Sequence, residues 1–562
     1  MKKVIKLLLF SLLSLQMVVA QKTITGVVSD NDGLPLPGAT IVVDGTSTGV
    51  TTDFDGNFSI NAEEGDTLNI SYVGYQTQSV VVGSQDTINI SLEQGNELEE
   101  VVVTSLGIKR EAKALGYAVQ SVSTEDITDS GANSAIDAMV GKVAGVQITR
   151  SSGSVGGGSR ILIRGVTSMI GNNQPLIVVD GVRSNNESLN SGSSTAGTSV
   201  SNRLMDLNNE DIASINVLKG AAATALYGTS GSSGVVVITT KKGQASTKMN
   251  VNFSSEVSTS EVTSIFDLQS KYAQGSGGKY RDPSTGNSGS WGPKMTDLEY
   301  QTGQANVPST IDVRSSAFDS DGNYLFDKNG YLVPKGSGNG RPAQVFDNVS
   351  PFFQTAMGYK NNISIDGGSE SATYRFSASA LKSEGVVPKE DYNRKTFGLS
   401  STLKPNNKIS ISTSLNFIRS ENTRIQQGSN TSGLLLGMLR TPVSFDNTNG
   451  LGAEAAVNDP SSYIFGSGKQ RNYRGGGGYD NPYWIINNAL RSETANRTFG
   501  SFQLTYNENQ WFNVNLNVGA DFTSDIRKQN FEIGSRTSST GRVDKDEFTS
   551  FLTDAIFTIS GG

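Results

Sequence analysis

The chain has 562 residues, a net charge of −7, and neither His nor Cys. That excludes Ser-His-Asp and Cys-His catalysis and any usual zinc site, all of which need an imidazole or a thiolate. It also excludes disulfides, and a mildly acidic chain without a basic block gives no support for nucleic-acid binding.

The first residues have the makeup of a secretory signal. Lys2, Lys3 and Lys6 precede the apolar stretch Leu7 to Leu15, and Val18 and Ala20 fit the small-residue rule for cleavage before Gln21. The stretch is too short for a membrane span of about 20 residues. No Cys follows the cleavage site, which excludes a thioether-linked lipid. No later segment is apolar enough for a transmembrane helix. With 63 Gly and a hydrophobic fraction of 35%, the composition fits a β-rich envelope protein whose apolar residues alternate rather than cluster.

Thr23–Val28, Thr40–Val43, Gly56–Ile60, Thr67–Tyr72 and Thr87–Leu92 are short strand-like runs. The turn dipeptides Asp32-Gly33, Asp44-Gly45 and Asp55-Gly56 separate them, and Pro35 and Pro37 stiffen the first loop. This predicts one small β-sandwich. Asp53, Asp55 and Asn57 allow a hairpin turn or a calcium loop; the EF-hand spacing and terminal Glu are missing, which favours the turn. Asp319–Gly322 and Asp327–Gly330 are read in the same way. The strings Gly26-Val27-Val28, Leu36–Ile41, Thr52–Phe58 and Tyr72–Tyr75 resemble the carboxypeptidase-regulatory-like domain that precedes many outer-membrane receptors of the SusC/RagA group.

A polar linker, Glu93–Glu97, leads into Glu99 and then Glu100, Val101, Val102, Val103, Thr104, Ser105, Leu106 and Gly107. A short β-branched run on a flexible tether can add itself to another protein's sheet edge through main-chain hydrogen bonds. It resembles the TonB box of TonB-dependent transporters; the alternative is an ordinary edge strand.

Further on, Ile136, Met139, Val140 and Val143 fall on one face of a short helix that Asn133 or Ser134 can cap, with Gly145 after its end. Strands are predicted at Val146–Thr149, Arg160–Arg164, Leu176–Val179, Ile215–Leu218 and Val235–Thr240, with helical turns at Ala221–Tyr227 closed by Gly228. These mixed elements suggest a compact α+β globule. Ile161–Gly165 (with Arg164 and Gly165), Gln174–Val182 (with Asp180 and Gly181), Ile215–Ala221 (with Lys219 and Gly220), Ala225–Gly228 (with Tyr227 and Gly228) and Gly234–Gly243 resemble plug signatures of the SusC/RagA family. The Gly-rich loops Gly153–Gly158 and Gly228–Gly234 fit neither a P-loop nor a dinucleotide fingerprint. Arg160 and Arg164 either pair with barrel-wall carboxylates or lie on a solvated strand face.

From Phe512 to Phe522 apolar and polar residues alternate strictly, Asn513, Asn515, Asn517, Gly519 and Asp521 forming the polar side. Similar alternation marks Ile409–Phe417, Tyr374–Ala380, Met249–Val257, Phe397–Leu403 and Phe502–Tyr506, and short runs at Asn362–Asp366 and Ala555–Ser560 bring the count to eight. Lipid takes the apolar side of such strands and a wet lumen the polar side, although a soluble sandwich alternates identically. The long Gly/Asn/Ser-rich stretches Gln274–Asn348 and Gly428–Trp484 read as outer loops. Their aromatics, Tyr280, Trp291, Tyr463, Tyr473, Tyr479, Tyr483 and Trp484, either stack on cargo or pack within the loops.

The expected fold class is therefore mainly β, with a β-sandwich (21–94), a linker and TonB box (95–107), an α+β plug (108–243) and the amino-terminal part of a transmembrane antiparallel β-barrel (244–562) behind a signal (1–20). Eight strands against about 22 for a plugged transporter, and a terminus without a final aromatic, suggest a fragment or truncated product. The resemblance implies a TonB-dependent importer of the outer membrane, exported by the Sec pathway, with residues 21–107 in the periplasm. Implied partners are TonB with ExbB/ExbD, a SusD-like surface lipoprotein, outer-membrane lipid, and an oligosaccharide or peptide cargo. A non-transporting surface adhesin is the alternative. No catalytic, cofactor or metal residue is assigned, and the carboxylates of Asp206–Asp211 have no spacing that recommends an enzyme.

Overall fold

The computed structural model describes residues 22–561, apart from 32, 45, 47, 73–74, 94–100, 104–108, 112–118, 151, 171–172, 187–200, 221–224, 305–306, 476 and 510. The signal, and Glu100, Thr104 and Ser105 of the expected box, lie outside the described residues.

The first unit is a two-layer β structure. One layer orders Gly49–Thr51, Thr40–Val43, Thr67–Ser71 and Gln78–Val81; the other orders Asn57–Ala62, Lys22–Asp30 and Ile90–Leu92. Two of these seven strands, Gly49–Thr51 and Gln78–Val81, were not expected from the sequence. Period-two alternation sends Ile24, Ile41, Ile60, Leu68 and Ile70 into one shared core. Gly26 is required by close approach: a Cβ there would meet the Ile88 carbonyl oxygen at 1.8 Å. The Asp53 segment is a hydrogen-bonded turn. Asp53 Oδ1 accepts from the backbone N–H of Asp55 (3.0 Å) and Asn57 (2.8 Å). Asp319 accepts from Asp321 and Asn323 in the same way.

The plug sheet orders Val119–Ser123, Ile212–Leu218, Val235–Thr240, Leu176–Val179 and Val182–Ser184, and Val146–Arg150 pairs separately with Ser159–Ile163. Ser134 caps the helix Ala135–Ala138, its side chain accepting from the Asp137 N–H. The helix ends sooner than the periodicity predicts, and Gly141 (φ 77°) turns the chain. Ile136, Met139 and Val143 are buried, but Val140 is 51% exposed and leaves the expected face. The turns near Tyr227 are 3-10, two of them meeting within Ala225–Gly231 at the non-helical Gly228 (φ 62°, ψ −150°), which closes the first as expected; residues 221–224 lie outside the described residues.

Eight antiparallel strands form the wall, each paired with its neighbours in sequence: Ser246–Ser260, Ala356–Gly368, Ala372–Glu384, Asp391–Asn406, Ile409–Ile425, Leu490–Asn509, Phe512–Phe531 and Arg542–Gly561. All eight expected runs are present, most of them longer than their alternation indicated. Their burial is inverted relative to a soluble sheet. Asn517, Asp521, Asp525 and Arg527 are buried, whereas Val518, Phe522 and Ile526 on the same strand are exposed. Phe376, Phe397, Phe417 and Phe502 are exposed likewise. Water would not leave rings bare while covering carboxylates; lipid on one side and a plugged lumen on the other would.

The two long connections fold into a cap with apolar cores of their own. Five of the seven singled-out aromatics, Tyr280, Tyr463, Tyr473, Tyr483 and Trp484, are buried in it, so core packing accounts for them. Trp291 is exposed and Tyr479 half-buried. Burial is the main reason the Asp282 carboxyl is pushed up to about 6, although it accepts from Ser284 N–H (2.8 Å) and from the Tyr324 hydroxyl.

Two outcomes are expected. Thr52 donates to the Leu36 carbonyl (2.6 Å) and accepts from Ala39 N–H (2.8 Å) in the buried first unit. Thr52→Val strands both groups and lowers that unit's stability by about 2 kcal/mol, measured by chemical denaturation. Asp282 holds its proton more tightly folded than unfolded, where it titrates near 3.8. The folded form therefore binds more protons between the two values, and cap stability falls as pH rises from about 4 to about 6. The loss is on the order of 3 kcal/mol, and Asp282→Asn removes this dependence in thermal unfolding followed against pH.

Candidate functional site

The polar face of the wall and the plug share a buried seam of charge. On the wall strands, inward positions come at every second residue, which sets Glu493 and Arg497 beside Asp521, Asp525 and Arg527 of the next strand. From the plug, the 3-10 turn Arg203–Asp206 brings one guanidinium to this row. Arg203 lies 3.4 Å from Asp206, 3.2 Å from Glu493 and 3.7 Å from Asp525. Glu493 also faces Arg424 (3.4 Å) and Arg527 (3.6 Å), and accepts from Ser201 of the plug. Burial alone would lower the Arg203 pKa, but the carboxylates of Asp206, Glu493 and Asp525 raise it above the ordinary arginine value.

Wall arginines also hold the plug by its main chain. Arg394 Nη1 donates to the carbonyls of Met205 and Leu207 at 2.8 Å and of Asn133 at 3.2 Å. Arg424 donates to Gly156 O (2.6 Å), and Arg497 donates to Arg203 O (2.7 Å) while gripping Asp521 through two nitrogens. Planar guanidinium forks suit such multiple acceptance. Nearer the short turns, Arg375 pairs with Asp211 (3.2 Å) and Lys360 with Glu210 (3.2 Å). Apolar contact is confined to patches such as Ile418 and Phe499, which join the plug core from the wall.

The motif residues separate into three places. Asp180 and Gly181 form a two-residue hairpin turn, both with positive φ (48° and 83°), between Leu176–Val179 and Val182–Ser184. Asp180 accepts from Thr240 N–H (2.9 Å) and Oγ1 (2.7 Å), tying the turn to the next strand. A Cβ on Gly181 would meet Asn517 Nδ2 of the wall at 2.3 Å, so the turn touches the wall because it has none. Arg164, Gly165, Lys219 and Gly220 gather elsewhere: Lys219 Nζ donates to Gln120 Oε1 (2.9 Å), and burial together with Arg164 lowers its pKa. Tyr227 packs with Val178, Leu218, Val235 and Val237, followed by Gly228. Arg164 is exposed and, among the described residues, forms no ion pair with the wall. Arg203 takes that role, and sequence reasoning missed it. Extending the polar parity of Asn513 to Asp521 through Asp525 and Arg527 would have located its partners.

Of the expected box, Val101–Val103 is a three-residue strand. Among the described residues no group of three or more His, Cys, Asp or Glu could hold a metal ion. Among the described residues the seam grips the plug through guanidiniums, carboxylates and main-chain carbonyls.

Comparison with known proteins agrees with this architecture. Residues 24–103 match the CarboxypepD_reg-like domain and residues 111–235 the TonB-dependent Receptor Plug Domain. Sandwich, plug and inverted wall together define a TonB-dependent receptor. The chain is 31% identical over 477 residues to the TonB-dependent receptor SusC of Bacteroides thetaiotaomicron, covering 84% of this chain and 40% of that one. It is 30% identical over 510 residues to the TonB-dependent receptor P26 of Formosa agariphila, covering 90% and 43%. In fold it is similar to the RagAB peptide importer in its open-open state, with a TM-score of 0.56, 19% identity, and coverage of 81% of this chain and 46% of that one. The chain belongs to the SusC/RagA family of TonB-dependent receptors. It spans less than half the length of these relatives.

Removing one member of a buried ion network leaves its partners uncompensated. Arg203→Met is expected to weaken plug seating by about 3–5 kcal/mol, seen as faster hydrogen exchange in Ile212–Leu218. Glu493→Gln does the same, and the double variant costs less than the sum of the two because they share one network.

Proposed function

We propose that this chain forms the plug-bearing part of an outer-membrane importer that takes up an oligosaccharide or peptide under TonB control. The carrying observation is the inverted wall: exposed rings on one face, buried carboxylates and guanidiniums against a plug on the other. Short turns at one end of the strands and the long folded connections at the other fit a periplasmic and an outer side respectively. The box, Glu100 to Ser105, is the segment TonB pulls, as an added strand coupled to ExbB/ExbD. Arg164, Gly165, Asp180, Gly181, Lys219, Gly220, Tyr227 and Gly228 shape the plug's turns and core. Residues 21–107 lie in the periplasm after Sec export, and a SusD-like lipoprotein closes over the cap. Plug and wall are joined mainly through polar groups, which can exchange for water as the plug shifts, and no bond in the cargo is broken.

The test is deletion of Glu99–Ser105 in cells. Uptake of labelled cargo is expected to fall to background while surface binding persists. Unchanged uptake would defeat the proposal, and binding without any uptake in the parent would leave a surface adhesin.

A further inference from the structure

Among the described residues, the cap contains a pair of arginines that no carboxylate answers. Arg440, the last residue of the helix Leu434–Arg440, and Arg474 place their guanidinium carbons 4.8 and 5.0 Å from the ring centroid of Tyr479. Tyr473 stacks on the same ring at 6.0 Å with an interplanar angle of 17°. In the seam and wall Arg203, Arg497 and Arg527 face acids, whereas the buried Arg394 and Arg471 spend donors on main-chain carbonyls. Among the described residues, Arg440 and Arg474 have no ion-pair partner.

Their hydrogen bonds use little of their capacity. A guanidinium carries five N–H donors. Arg440 spends one nitrogen on Asn430, at 3.3 Å to its carbonyl and 3.0 Å to Oδ1, and Arg474 spends Nε on the Gly286 carbonyl (2.9 Å). Both side chains are half-buried. A second observation points the same way: Tyr473 is buried, yet its hydroxyl has no hydrogen-bond partner. Gly478 (φ 80°) lets the Arg474 guanidinium lie close, since a Cβ there would meet Nη1 at 2.5 Å.

Sequence position links this cluster to the plug. Gln427 donates to Ser154 on the plug, and Asn430, which holds Arg440, follows three residues later. Three residues of extended chain reach roughly 10 Å at most. The segment that holds Arg440 therefore begins at a plug contact. Both guanidiniums carry like charge, and a carboxylate that fills their free donors would offset it.

We propose that Arg440, Arg474 and Tyr479, with the Tyr473 hydroxyl, form a cargo subsite for a carboxylate-bearing nutrient, either a uronate-containing oligosaccharide or an acidic peptide. This rests on the importer reading above and deepens it. The test is direct binding to the purified full chain in lipid nanodiscs. One probe pair is tetragalacturonate and its neutral methyl ester; the other is a glutamate-containing tetrapeptide and its glutamine counterpart. At least one acidic probe is expected to bind tenfold or more tightly than its neutral partner, and to weaken with added salt. Arg440→Gln with Arg474→Gln is expected to raise its Kd at least tenfold. Arg474→Lys, which keeps the charge but loses the fork and the stacking, falls between. The pair that responds tells sugar from peptide. Equal binding of acidic and neutral probes in both pairs overturns the inference on the unsubstituted protein, whether or not the variants fold. So does a well-folded double variant that binds the acidic probe as tightly as the parent. Box-dependent uptake of neutral cargo alongside such a failure would defeat the subsite alone and leave the importer reading standing.

Discussion

The structure depends on one constraint: the wall's buried face is the polar one. A sheet that turns Glu493, Arg497, Asp521, Asp525 and Arg527 away from water must give each a partner, because an unpaired buried charge costs several kcal/mol or more. Those partners come from neighbouring wall strands and from the plug, and the plug's place follows from that need. Arg203 is the plug's main electrical contribution, and the wall arginines answer with donors to plug carbonyls. On the other face, Phe376, Phe397 and Phe417 have nothing to cover them in water, which suits hydrocarbon.

The plug is held differently from the way it is built. Inside, Ile161, Ile177, Ile215, Val236 and their neighbours make an ordinary apolar core, which keeps the domain one body. Its junction with the wall is mostly ionic and hydrogen-bonded. Such a junction is specific in geometry yet weak in net free energy, since desolvation offsets much of the attraction. Contacts to main-chain carbonyls also leave plug side chains free to serve other purposes. Under the import reading, a force applied near Val101–Val103 would act on a firm object in a yielding seat.

Much of this could be read from the amino acids. The wall strands were legible because lipid and lumen impose a strict two-residue period, and Leu176–Val179 and Val235–Thr240 because buried strands are continuous β-branched runs. The Asp55-Gly56 turn was legible from turn chemistry alone. What failed was decided by distant packing. Val140 continued a helical period that Gly141 ended. Tyr280, Tyr463 and Trp484 lay in Gly- and Asn-rich sequence but belong to cap cores, because a core assembled from separate loop segments leaves no local period. Arg203 stands in a stretch without periodicity, and only the partners across the seam explain it.

Strand length sets how high the wall stands. Phe512–Phe531 and Arg542–Gly561 are 20 residues each and pair along their whole length. At about 3.3 Å per residue and a tilt near 45°, each rises roughly 45 Å, against about 30 Å of hydrocarbon. The outward face of the first agrees, running Val518, Phe522, Ile526 and then Lys528. By the same measure the 13-residue strands Ala356–Gly368 and Ala372–Glu384 rise only about 30 Å, so the wall stands above the bilayer on one side and level with it on the other.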